Sequence, residues 1–80
     1  MSMIKTKVMH AVEMDDMIIL LHCWDGKRLA IIPMHTEIFK RFSNDFAGDI
    51  SGIPIEYNGD TITTYFCADI HIYSTLQFNQ

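Results

Sequence analysis

Cys67, Asp69, His71 and Tyr73 occupy every second position near the C-terminus. On a strand that parity puts them on one face, about 6.5–7 Å apart. A carboxylate beside an imidazole can orient it for proton transfer. The preceding TITTYF run would add Thr61, Thr63 and Tyr65 as a polar flank. A small ligand-binding or catalytic domain using the Asp69/His71/Tyr73 face is therefore one reading. Asp-x-His is a spacing of low specificity, however. No paired nucleophile, oxyanion hole or glycine-rich phosphate loop accompanies it. The same alternation is ordinary for a strand with one wet face. No catalytic residues are assigned, and the chain is not expected to be an enzyme.

Metal chemistry has the right side chains at poor spacing. His22, Cys23, Cys67 and His71 are zinc ligand types. Adjacent residues on a strand point to opposite faces, so His22 and Cys23 cannot easily share an ion. There is no Cys-x-x-Cys, and the four histidines are scattered. No metal and no cofactor are expected, and the two cysteines are read as buried free thiols. Trp24 is of a type enriched at binding hot spots. The candidate interface residues are Trp24, Met17, Ile19, Tyr65, Asp69, His71 and Tyr73.

The elements that must position these residues follow from periodicity and turn chemistry. Imperfect alternation predicts a strand over about 4–12, with Ile4, Thr6, Val8 and His10 facing inward. Residues 13–16 supply a turn. Strands over about 17–24 and 27–32 flank Asp25-Gly26, a signal for a type I′ hairpin, which needs positive φ at both central residues. Pro33 closes the third strand. Ile38, Phe39, Phe42 and Phe46 share one side of a helix over about 36–47. Thr36 is its expected N-cap, Gly48 its left-handed terminator, and Asp45 part of its wet side. Strands over about 53–57, 60–66 and 69–75 follow, the first two joined by Asn58-Gly59, with a corner at Cys67-Ala68. Beyond them the tail over 76–80 is expected to be loose, with Leu76 and Phe78 the residues that can pack.

The prediction is an α+β fold in the order βββ-α-βββ. It forms one antiparallel sheet or two small ones, with one amphipathic helix packed on one face. Residues 1–80 are read as a single domain.

The totals narrow the function classes. The charge is −4, and the six basic residues fall in three small groups, Lys5/Lys7, Lys27/Arg28 and Lys40/Arg41. That is a weak footprint for phosphate contacts, so no nucleic-acid partner is expected. No apolar run approaches the ~18 residues of a membrane span. The N-terminus lacks a secretory leader, which points to the cytoplasm and reduced thiols.

Apolar residues make up 49% of the chain. Met17–Leu21 and Leu29–Ile32 are too apolar for strands with one wet face. The helix can cover one side; the second hairpin or another molecule must cover the other. The leading expectation is a small acidic protein–protein interaction module, a regulator or inhibitor that binds a larger protein through an apolar or acidic surface. Its size and charge suit a phage or mobile-element product. A homo-oligomer, formed through the apolar hairpin or a sheet edge, is compatible with this.

Overall fold

Strand β1 (Ile4–Glu13) belongs to both halves of the sheet. In the computed structural model, which describes residues 3–66 and 68–76, it pairs with β2 (Ile18–Trp24) on one side and β4 (Pro54–Tyr57) on the other. Strand β3 (Leu29–His35) extends the sheet beyond β2; β5 (Thr61–Phe66) and β6 (Asp69–Ser74) extend it beyond β4. The result is one open antiparallel sheet in the order β3-β2-β1-β4-β5-β6. Helix α1 (Thr36–Asp45) lies between the two meanders in sequence and packs on one face. Among the described residues no helix is long and apolar enough to cross a membrane.

A β-bulge between Val8 and His10 resets β1. Thr6 and Val8 point into the core. With Met9 as the extra residue, His10 and Val12 stand opposite His22 and Leu20 on the other face. The expected inward parity of β1 therefore holds to Val8 and is corrected beyond it, because one inserted residue exchanges the faces. Pairing with β4 ends at the same place, where Gly52 N–H donates to Val8 C=O (2.7 Å).

Strand β3 runs through Pro33 to His35, correcting its expected end. It is an edge strand, where a missing N–H is tolerated. The Pro33 carbonyl points away from β2 and accepts Leu76 N–H (2.9 Å). Its ring nitrogen lies on that same outer side, so the β2–β3 ladder loses nothing. The bond also shows that the sheet curls until the chain just past β6 reaches the far edge. Phe78 lies outside the described residues.

Each hairpin turn is wider than a type I′ pair. Only the glycines have positive φ, 98° at Gly26 and 99° at Gly59. Asp25 Oδ1 accepts N–H bonds from Lys27 and Arg28, both at 2.7 Å. Asn58 Oδ1 accepts those of Asp60 and Thr61, both at 2.8 Å. Such side-chain-to-backbone bonds hold the wider loop. The Arg28 N–H, then that of Lys27, lowers the Asp25 pKa below its ordinary value.

Helix α1 starts without a side-chain cap. His35 takes the N-cap position, and Thr36 instead donates its N–H to Met17 C=O (2.8 Å) and its hydroxyl to Asp16 C=O (3.3 Å). Strand β3 passes directly into the helix, so the β1–β2 turn receives these donors.

The helix ends two residues earlier than expected. Gly48 N–H donates to Ser43 C=O (2.8 Å) and Ala47 N–H to Asn44 C=O (3.1 Å), the two bonds of a Schellman motif. Ala47, at φ 55°, holds the position that favours glycine. Replacing Ala47 by Gly should raise unfolding free energy by about 0.5–1 kcal/mol in urea melts. A loss of stability would contradict this account of the helix end.

The core lies between α1 and the inner sheet face. Phe42 is buried among Val8, Leu21, Ile32, Met34, Ile55 and Ile62. Its ring meets Phe46 and Tyr73 edge-on, with centroids 5.5 and 5.0 Å away.

Candidate functional site: the outer sheet face

Helix α1 covers one face of the sheet and leaves the other open. Side chains alternate across a strand, so directly paired residues share a face. The outer face of the first meander carries the pairs Trp24–Leu29 and His22–Ile31 between β2 and β3. Between β1 and β2 it carries His10–His22 and Val12–Leu20. The outer face of the second meander carries Tyr65–Ile70 and Thr63–Ile72. Lys5, Lys7 and Glu56 lie between the two apolar groups.

These apolar side chains remain uncovered. Leu29 is 61% exposed, Ile70 63% and Ile72 60%; Trp24, Ile31 and Tyr65 are exposed as well. An antiparallel sheet with one wet face normally makes that face polar. Here the second hairpin lies beside the first in the same sheet and does not cover it. The apolar run before Trp24 divides accordingly: Ile19 and Leu21 are buried, while Ile18 and Leu20 lie on the outer side, half-buried.

The interface candidates separate under this geometry. Trp24 and Tyr65 stand on the outer face in different patches. Met17 is exposed just before β2. Ile19 is buried opposite Met34, so it cannot share a contact surface with Trp24. Asp69, His71 and Tyr73 lie on the inner parity of β6. Tyr73 is 1% exposed beneath Phe42.

The expected solvated face joining these three to Thr61, Thr63 and Tyr65 is therefore corrected. Register pairs Tyr65 with Ile70 and Thr63 with Ile72, which sends the isoleucines outward and Tyr73 inward. Cys67 lies outside the described residues. Asp69 is exposed at the start of β6.

Asp45, rather than Asp69, meets the inner β6 residues. The Tyr73 hydroxyl donates to Asp45 Oδ2 at 2.6 Å. His71 Nδ1 is 4.0 Å from the same oxygen, beyond hydrogen-bond distance. The Arg41 guanidinium sits 5.3 Å from the Tyr73 ring centroid, and its Nη2 donates to Ile72 C=O (3.4 Å).

Burial first, then the bond to Asp45, pushes the Tyr73 pKa well above the ordinary phenol range. Tyr73 is thus a fixed donor that keeps its proton, and the corner ties the last turn of α1 to β6. Asp45 follows Phe42 by three residues, a spacing that shares a helix face. That was the available signal for its position.

Register also gathers charge. Lys5 and Lys7 begin β1, and Lys7 pairs with Trp24 beside the Asp25–Arg28 turn that carries Lys27. At the opposite end of β1 and β2 stand Glu13, Asp15 and Asp16. The first meander is therefore basic at one end and acidic at the other. Strand pairing, not sequence spacing, brings the first two basic groups together.

No family model, curated protein or solved structure matches the chain.

Proposed function

We propose that the chain is a protein-binding module, a cytoplasmic regulator or inhibitor. It acts by covering a surface of a larger protein with the outer face of β5 and β6. The observation carrying this reading is the patch of Tyr65, Ile70 and Ile72, adjacent on two paired strands and more than half exposed. Clustered apolar side chains on a sheet face mark an interaction surface, and tyrosine is enriched among residues that dominate binding energy.

Strand β6 is the last strand of the sheet, and its Ile72 carbonyl accepts from Arg41 Nη2. Glu56 borders the patch on the outer face, and the chain carries −4 overall. The complementary surface is an apolar depression with a basic rim, whose charges steer encounter.

The test is affinity capture with tagged wild type and with the double variant Ile70→Asp/Ile72→Asp. Both substitutions fall on exposed positions, and a thermal melt establishes whether the variant folds. Wild type should retain a discrete partner, and the variant should lose it. Capture of nothing by wild type, or equal capture by the folded variant, contradicts the reading.

A further inference from the structure

We infer that His10 and His22 form half of a divalent transition-metal site, most suited to zinc, which a second copy of this chain completes. The two residues are twelve apart in sequence, but the β1 bulge brings them directly opposite each other on the outer face. Their ring centroids are 4.9 Å apart with planes inclined by 32°. Two imidazoles sharing a tetrahedral zinc, with Zn–N near 2.0–2.1 Å, have centroids about 5 Å apart. The pair therefore already stands near the separation that a shared ion requires.

Two ligands do not make a closed zinc site. Among the described residues no group of three or more His, Cys, Asp or Glu side chains is placed to hold a metal. The missing ligands must come from elsewhere, and the surroundings fit a second copy. His10 and His22 lie midway along the first meander, flanked by Trp24 on one side and Leu20 and Val12 on the other. Its basic end and acidic end lie on opposite sides of them.

A two-fold axis in the plane of the interface, perpendicular to the strands at the level of the histidines, lays β2 antiparallel over β2 of the other copy. Basic ends then face acidic ends, which offsets the repulsion between two chains of charge −4. Trp24 of each copy then faces Leu20 of the other, and Lys7 faces Val12. Stacked sheets sit about 10 Å apart, a gap suited to opposed side chains. The four imidazoles meet on the axis around one ion. Such self-complementarity is what a two-fold interface requires.

This site uses the first meander and leaves the β5–β6 patch free, so it stands independently of the proposed function. The test uses the full chain and zinc alone, read by analytical ultracentrifugation. The expected result is a species of 9.3 kDa in chelator, and of twice that mass with one zinc per two chains. His10→Ala and His22→Ala should each abolish the shift. His10→Gln and His22→Gln provide a second pair should either alanine variant fail to fold.

Cobalt in place of zinc should give the visible absorption of a tetrahedral ion. Reversing the basic end with Lys27→Glu/Arg28→Glu should weaken the dimer. A mass of 9.3 kDa in saturating zinc overturns the inference. So does a dimer that persists in chelator or in the folded histidine variants.

Discussion

Phe42→Ala is expected to cost about 3–5 kcal/mol, the range for removing a buried phenylalanine side chain. A domain of this length has a total stability of about 4–12 kcal/mol. The substitution thus removes a large share of it and can leave the chain unfolded. Phe42 is the buried residue of α1. It sits against strands from both meanders, including Ile32, Ile55 and Tyr73. Its loss opens a cavity between α1 and the sheet that the surroundings can close only in part. Urea melts of wild type and variant provide the measurement, with Phe39→Ala, at a half-buried position, expected to cost less. A Phe42→Ala cost below about 1 kcal/mol would mean that the helix is not seated as described.

A second large effect is expected at alkaline pH. Cys23 is buried on the inner face of β2, and desolvation raises its pKa from 9.0 to about 11. The folded thiol therefore stays neutral where the unfolded thiol ionises. Stability from this group is full below pH 9 and declines as pH rises to about 11. The decline is at most about 3 kcal/mol, at roughly 1.4 kcal/mol for each unit of pKa difference.

Tyr73 acts in the same direction from its ordinary value of 10.0 upward, because burial and Asp45 both hold its proton. Unfolding free energies measured at pH 8 and pH 11 should fall steeply for wild type. Cys23→Val should flatten the decline that begins near pH 9, and Tyr73→Phe the part above pH 10. An unchanged slope in both variants would contradict the burial of these groups.

The element order was legible because the helix and hairpins carry local signals. Ile38, Phe39, Phe42 and Phe46 mark one face of α1, and Asp25-Gly26 and Asn58-Gly59 mark the reversals. Which face each strand residue occupies was less legible. In β1 a single inserted residue, Met9, turns His10 from the expected core side to the outside. In the β5–β6 hairpin, pairing Phe66 with Asp69 fixes a register in which Tyr73 fills space under Phe42 while Ile70 and Ile72 face out. By hydrophobicity alone the isoleucines belong inside.

Trp24 stood out by residue type and lies on the outer face, whereas Tyr65 lies there apart from the Asp69, His71 and Tyr73 it was expected to join. The His10–His22 pair and the basic end of the first meander depend on strand register, which spacing along the chain does not reveal. Likewise, the contact between Asp45 and Tyr73 joins residues twenty-eight apart.

The central claim is that the outer face of β5 and β6 contacts another protein. A photo-crosslinking amino acid placed at Ile72, with a control at Lys40 on the wet side of α1, tests it inside the producing cell. The account predicts a discrete heterologous crosslink from position 72, absent from position 40. No crosslink from position 72, or the same products from both positions, would contradict it.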